Sequence, residues 1–306
     1  MKVYYHTAEA AGKIKNAVVT TGSFDGVHVG HKLIIDRLNE IADDIGGESV
    51  LITFYPHPRK VLYPDQQSLK MINSQEEKIE LLRKAGLKNL IIIPFSLEFS
   101  KTTSRDFVVN MLVGHLEARV IVVGHNHHFG YARKGDYTYL HRLSRDVGFG
   151  VEEIPLQMIE NETVSSTKIR KALQEGYIQR ANAYLDHQYI IKGKLYDGPV
   201  YSGISSQPMT GIEITADEKL IPPPGIYATN LFLEGEWLKT MTYISYVGNG
   251  QPRVESMFIY DDVRVTNKSG TLYFYKRVME GDPAGNGSMD QNMMSQAREM
   301  VEDLIY

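Results

Sequence analysis

The chain has no cysteine. That absence removes any disulfide framework, any thiolate nucleophile and any sulfur-ligated metal site. No stretch approaches the roughly 18 apolar residues of a membrane span, and the first residues hold no apolar secretory core. No membrane partner is therefore expected, and the cytoplasm is the expected compartment. Positive charge is not in excess either. A formal net charge of −4 gives no general pull toward nucleic acid or an anionic surface, although a locally basic pocket for phosphates is still allowed. There is no internal repeat. What remains is the composition of a folded globular protein, 42% hydrophobic and 23% charged. Its 306 residues suffice for one large core and suit two domains better.

Residues 1–186 alternate β-branched runs with helical patterns. Strands are expected over 17–21, 49–54, 89–94, 118–124 and 150–154, and helices over 32–45, 74–85, 103–112 and 166–175. This alternation predicts βαβ units, a largely parallel sheet and ligands at the carboxyl ends of its strands. Residues 51–53 and 120–123 are apolar in succession and read as central strands. On the first helix, Leu33, Ile34, Leu38 and Ile41 are expected to share one face. From 189 to 275 the chain instead shows short strands, among them 225–233, 241–247, 253–260 and 270–276, with a turn at 266–270. Such a pattern predicts a small barrel or sandwich. Residues 281–287 read as a loop. A closing helix over 288–304 is expected, with Met293, Ala297, Met300, Val301 and Leu304 on one side.

Most of the chemistry is concentrated in residues 20–31. A short apolar strand ends in a loop containing Gly22, Phe24, Asp25 and Gly26, and a helix starts just beyond His28, Gly30 and His31. The two imidazoles flank a helix start, where unpaired N–H groups and the dipole favour anions. They suit polyphosphate better than a metal, because no cysteine or suitably spaced acid accompanies them. The same pattern also fits a plain βα turn with surface histidines. Phe24, Asp25 and Gly26 in the same loop favour a site.

Three further segments follow strand ends or open helices. Pro56-His57-Pro58 is either a rigid turn or a stiffened site loop. Gly124-His125-Asn126-His127-His128-Phe129-Gly130 is followed by Arg133 and Lys134, cations suited to phosphate, and Asn126 could read an adenine edge or orient a phosphate. Ser165-Ser166-Thr167 opens a helix that carries Arg170, which is a serine cap in any case and an anion site in combination with the first turn. Cations and helix ends are plentiful, while a covalent nucleophile and paired carboxylates are missing. That balance points to transfer of a nucleotidyl group.

In order and content these segments resemble the HxGH nucleotidyltransferases, and within them the prokaryotic bifunctional riboflavin kinase/FMN adenylyltransferases, or FAD synthetases. Residues 22–31 are similar to the family's first motif. Thr53-Phe54 with Pro56-His57-Pro58 is similar to the second, 124–130 with Gly135-Asp136 to the third, and Ser165-Ser166-Thr167 with Ile169-Arg170 to the fourth. The resemblance implies an α/β, Rossmann-like nucleotidyltransferase domain over 1–186. Over 187–306 it implies a six-stranded riboflavin-kinase-like β-barrel with a terminal helix. The implied chemistry uses ATP and Mg²⁺, with FMN and riboflavin as substrates and FAD as product. It implies no nucleic-acid partner, and a monomer is expected. His28, His31 and Arg170 would grip the ATP phosphates, with Ser165, Ser166 and Thr167 opposite. His57, Pro58, Gly124, Asn126, Phe129 and Arg133 would border the nucleotide and flavin subsites together with Gly22, Phe24, Asp25 and Gly30. The third motif departs from the family at Asn126 and His127, where an Asp and an aromatic are usual.

The second half resembles the kinase less closely. Gly193-Lys194, Pro-Gly-Ile-Tyr at 224–227 and Val254-Glu255 stand in the expected order, and Glu255 would match the general base. Arg277 would match an arginine of the flavin-side loop. The stretch expected to bind MgATP reads Ser202-Gly203-Ile204-Ser205-Ser206-Gln207-Pro208-Met209-Thr210-Gly211 where the family has a basic, glycine-rich run into Pro-Thr-Ala-Asn. Met209 and Gly211 supply no hydroxyl or amide oxygen, and a displaced Thr210 should face the other side of a strand. An FMN adenylyltransferase with a weak or inactive kinase half is the expected function. A fully bifunctional enzyme, another HxGH transferase and a non-catalytic flavin- or nucleotide-binding protein are the alternatives.

Overall fold

A computed structural model describes residues 1–64, 69–125, 127–155, 158–159, 162–198, 209–214, 218–247, 250–260, 268–281 and 291–304. The chain divides into two compact units. The first holds Met1–Leu69 and Lys78–Val164, and the second holds Lys70–Glu77 and Ser165–Tyr306.

In the first unit, β1 (Lys2–Tyr4), β2 (Ala17–Thr21), β3 (Glu48–Tyr55), β4 (Asn89–Pro94), β5 (Val120–Gly124) and β6 (Gly150–Ile154) form one sheet in the order β1-β4-β3-β2-β5-β6. Every pairing in it is parallel. A two-stranded hairpin, β7 (Met158–Ile159) with β8 (Glu162–Thr163), follows. The helices are α1 (Thr7–Ala10), α2 (Val29–Asp44), α3 (Pro58–Leu62), α5 (Ser104–Asp106), α6 (Tyr137–Val147) and the Lys78–Lys84 part of α4 (Gln75–Lys84), whose first three residues belong to the second unit. Successive strand residues pack into different cores: Val19, Val50 and Ile121 on one side, and Val18 and Val122 with Leu38, Ile41 and Ala42 of α2 on the other. Burial on both faces explains why these strands read as continuous apolar runs.

Three local expectations change. On α2 the buried stripe is Ile35, Leu38, Ile41 and Ala42, while Leu33 is exposed; rotation of the helix by one residue on the sheet decides between them. The helix expected over 103–112 is α only through Asp106 and continues as a π-helix over Phe107–His115. The sequence pattern does not predict helix α6, whose fully buried face is only Leu140 and Leu143. Its ends were nevertheless marked, by Asp136 accepting from Tyr139 N at 2.7 Å and by left-handed Gly148.

The second unit contains α7 (Ser166–Gln174) and α8 (Ile178–Leu185). Its barrel is built from β9 (Tyr189–Asp197), β10 (Thr210–Glu213), β11 (Gly225–Leu233), β12 (Glu236–Val247), β13 (Gln251–Phe258) and β14 (Ser269–Glu280). These close in the order β10-β13-β12-β11-β14-β9. Helix α9 (Gln291–Glu302) covers one side, placing Met294, Ala297, Val301 and Leu304 against Ile226, Ala228 and Met241. Met293 and Met300, expected on that stripe, are exposed; each lies one residue, about 100° of helix, before a buried position. The opposite barrel face carries a buried hydroxyl ladder, Thr229, Thr240, Thr242 and Ser256, linked at 2.6–2.7 Å. The turn at 266–270 and the loop at 281–287 lie largely outside the described residues. Among the described residues, no helix is long and apolar enough to cross a membrane.

Candidate active site

The sheet order places β2 at a topological switch point. The chain runs outward through β3 and β4, then returns to β5 on the other side of β2. Crevices at such points, beyond the carboxyl ends of the strands, are where open α/β sheets bind ligands. The loops after β3, β2 and β5 carry the second, first and third motifs.

The loop after β2 is tied to its neighbour by Gly22 N donating to Ile52 O at 3.0 Å and by Thr53 Oγ1 donating to Ser23 O at 3.2 Å. Phe24 and Val27 both have left-handed backbones, with φ of 47° and 44°, and both side chains are buried. Such conformations cost energy in non-glycine residues, most of all in a β-branched one, and persist where the surroundings fix them. The loop thereby stacks three rings. Phe24 lies 4.3 Å from His31, and His31 lies 3.6 Å from His28, with interplanar angles of 21° and 16°. His28 is the N-cap of α2, without a side-chain capping bond; its carbonyl accepts from His31 N and Lys32 N. Both imidazoles and Gly30 therefore stand at the amide-rich end of a 16-residue helix.

Asp25 is buried, 1% exposed, in the same loop. Lys78 on α4, 6% exposed, acts on it as the opposing charge. Burial pushes the Lys78 ammonium below its usual range, and Asp25 partly offsets that. His31 is held well below 6.5 by burial, then by His28 and then by Lys78. Its ring is thus neutral at neutral pH, which two rings stacked this closely require. His31 Nδ1 is buried and has no hydrogen-bond partner.

From the third motif, His127 Nε2 meets Thr21 Oγ1 at 3.0 Å, joining the end of β2 to the loop that follows Gly124 at the end of β5. Burial, His128 and Arg133 together lower the His127 pKa to about 4, so this ring is a neutral spacer. Phe129 packs into the core beside Phe107 and pairs with Gly135, and Arg133 is exposed on a 3-10 turn. Asn126 lies outside the described residues. In the second motif, His57 caps α3, its Nδ1 accepting from Arg59 N at 3.2 Å, and Pro58 opens that helix.

The fourth motif opens α7 in the second unit. Ser165 is the cap, its Oγ accepting from Lys168 N at 3.4 Å, and Ser166 and Thr167 form the first turn. Arg170 Nε donates to Lys70 O at 2.9 Å. In the barrel, Glu255 is fully buried on β13, with Arg253 Nε 3.7 Å from its Oε1. Gly211 pairs with Glu255 and with Tyr196, whereas Thr210 pairs with Ser256. Directly paired residues share a sheet face, so Thr210 faces away from Glu255. A Cβ on Gly211 would collide with Tyr196 Cζ, because the phenol ring covers that glycine. Burial and then Glu255 raise the Tyr196 pKa.

A family model described as FAD synthetase matches residues 11–168, just over half of the chain. The chain belongs to the FAD synthetase family. Among its relatives is a bifunctional riboflavin kinase/FMN adenylyltransferase of Listeria monocytogenes, 32% identical over 76% of this chain and 73% of that protein. One from Bacillus subtilis is 28% identical over 86% and 84%. The crystal structure of a macrolide-efflux protein from Streptococcus pneumoniae matches the whole chain with a TM-score of 0.88. At 21% identity that likeness shows the fold alone.

Lys78, Thr21 and Tyr196 join the FAD synthetase motifs without having been marked as site residues by the sequence. Lys78 follows two glutamates in a helical run that reads as an exposed charged face. Thr21 looks like any β-branched strand residue, and Tyr196 like any strand aromatic. Each is recruited by a partner distant in sequence.

Proposed function

We propose that this FAD synthetase family enzyme transfers AMP from ATP to FMN. An FMN phosphate oxygen attacks the α-phosphorus, the bond to the bridging oxygen breaks, and pyrophosphate leaves as FAD forms. The observation that carries this reading is the stack of His28 and His31 at the start of α2. Both rings are poised to gain positive character as a polyphosphate arrives, and the helix amides face the same anion. Ser165, Ser166, Thr167 and Arg170 would hold the phosphates as a second group, and His57, Asn126, Phe129 and Arg133 would border the bases. Residues 1–186 would carry this activity, in the cytoplasm. Among the described residues no three His, Asp or Glu side chains converge as a metal site. Magnesium would be held chiefly by the substrate phosphates, with Asp25 the acid of the first loop, in keeping with the few protein ligands Mg²⁺ usually takes.

For residues 187–306 we propose a weak or inactive riboflavin kinase. The supporting observation is Tyr196 over Gly211: the ring fills the space where an amide ligand would project, on the same face as Glu255. Retention of a buried Glu255 and the bifunctional names of the relatives favour the second reading, a fully bifunctional enzyme. Incubation with ATP, Mg²⁺ and either riboflavin or FMN, followed by separation of FMN from FAD, tests both. FAD from FMN with little FMN from riboflavin is expected. No FAD from FMN would overturn the first proposal, and rapid FMN formation from riboflavin would overturn the second.

A further inference from the structure

The side chains of Ala17, Val19 and Thr21 alternate onto one face of β2. Ala17 and Val19 lie in the apolar core on that face, and Thr21, 6% exposed, ends the row with a hydroxyl. A hydroxyl buried there needs a hydrogen-bond partner. Its partner stands 106 residues away in the chain, where His127 Nε2 lies 3.0 Å from Thr21 Oγ1. We propose that His127 is a positioning residue of the adenylyl-transfer site: through Thr21 it sets the distance between the loop after β5 and the root of the loop that carries the ring stack. The kinetic consequence rests on the adenylyl-transfer reading, and the structural one on the hydrogen bond alone.

His127 is itself anchored. Its N donates to Gly124 O at 2.9 Å, and His125 N donates to Ile154 O at 3.0 Å, at the end of β6. The imidazole lies 5.9 Å from the Phe129 ring at an angle of 26°, and Phe129 packs against the core. With a pKa lowered to about 4 by burial, His128 and Arg133, the ring is neutral near pH 7.

At the other end, Thr21 is the last residue of β2, and Gly22 opens the loop in which Phe24 and Val27 hold φ of 47° and 44°. Such a backbone persists where its surroundings fix it. On the β3 side the loop is fixed by Gly22 N donating to Ile52 O and Thr53 Oγ1 donating to Ser23 O. The bond to His127 acts on the β5 side, across the switch point between β2 and β5. An apolar pair in its place would hold the two side chains about 3.5–4 Å apart. The root of the loop would then shift by on the order of 0.5–1 Å, a displacement that is costly where groups must meet developing charge. Since His28 and His31 act on that charge, the loss should fall on kcat.

The test compares the full wild-type chain with Thr21→Val, Thr21→Ser, His127→Phe and the double variant Thr21→Val/His127→Phe. The readouts are steady-state FMN adenylation, thermal melting by circular dichroism, and amide hydrogen exchange of peptides spanning 20–31. Thr21→Val keeps the shape without the hydroxyl, and His127→Phe keeps a flat ring against Phe129 without the nitrogen. Each should lower kcat roughly tenfold, with KM for ATP within about twofold of wild type. Each should also speed exchange across 20–31 by roughly fivefold. Thr21→Ser keeps the hydroxyl, and its kcat should stay within about twofold of wild type. Either apolar single variant strands a buried polar atom and should melt lower. The double variant removes both polar atoms, so it should melt within about 2 °C of wild type while kcat stays as low as in either single variant. It also keeps the test open should a single variant misfold. Recovery of kcat together with the melting temperature would mean that the bond serves stability alone, and would overturn the proposal. So would unchanged kcat and exchange in the double variant, or a loss in Thr21→Ser as large as in Thr21→Val. If wild type forms no FAD from FMN, the adenylyl-transfer reading fails, and exchange over 20–31 in the double variant decides the positioning role by itself.

Discussion

Lys219 offers a test of how the second unit is held together. Its ammonium is buried and donates to Glu77 Oε2 at 2.6 Å, Ile72 O at 2.6 Å and Ile190 O at 2.8 Å, and it sits 4.3 Å from the centre of the Tyr189 ring. Glu77 in turn accepts from Ser74 N at 2.8 Å and Lys192 N at 2.9 Å. Both side chains of the pair are 1% exposed. Lys219→Met strands a carboxylate and two carbonyls in a site closed to water, which should cost about 3–5 kcal/mol. At about 2–4 °C per kcal/mol for a unit of this size, melting should fall by on the order of 10 °C. Adding Glu77→Gln removes the stranded charge, keeps one acceptor and offers an amide donor to the freed carbonyls. The double variant should therefore lie within about 2 kcal/mol of wild type, because an intact buried pair recovers little beyond its desolvation cost. Trp237, the single tryptophan, stands in this unit against Phe232 and Tyr273, so its fluorescence during urea unfolding reports on the right half of the chain. A loss below about 1 kcal/mol for Lys219→Met, or a double variant less stable than the single one, would refute the argument.

Four other outcomes are expected. His28→Ala and His31→Ala should each lower FMN adenylation by at least about 10²-fold in a folded protein; near-wild-type turnover in both would remove them from the mechanism. His31 is held below 6.5 by burial, His28 and Lys78, so a bound polyphosphate should raise its pKa and ATP binding near neutral pH should take up protons. Calorimetry in buffers of different ionisation enthalpy reads this, and equal enthalpies would contradict it. The same lowering means the unfolded chain binds more protons between the lowered value and 6.5. The stability of the first unit should thus be full above 6.5 and decline as pH falls through that window, as pH-dependent denaturation would show. Finally, Met209→Thr with Gly211→Asn should not restore riboflavin phosphorylation, since the new amide meets Tyr196. Adding Tyr196→Ala should increase FMN formation over the double variant, and no difference between the two would argue against occlusion by the ring.

The strands at 17–21 and 89–94 were legible residue for residue because parallel strands buried on both faces read as nearly continuous apolar or β-branched runs, whatever lies beside them; the strand at 150–154, an edge strand that carries Glu152 and Glu153, was legible from its place in the βαβ alternation. The first motif was legible for a similar reason: a strand end, glycines, two histidines and a helix start are consecutive, so one short loop builds the ring stack. Ser165 as a cap needed only its own helix. The sequence by itself thus determined the class of both units, the position of the first loop and the break in the kinase-like pattern at 209–211. Only the tertiary structure decided which stripe of α2 and α9 is buried, since neighbouring rotations of an amphipathic helix differ by one residue and the packing partner chooses. It alone brought Lys78 to Asp25, His127 to Thr21 and Tyr196 onto Gly211. Those contacts join residues from 15 to about a hundred positions apart, and no local pattern of charge or hydrophobicity encodes which distant side chain will neutralise, cap or cover another.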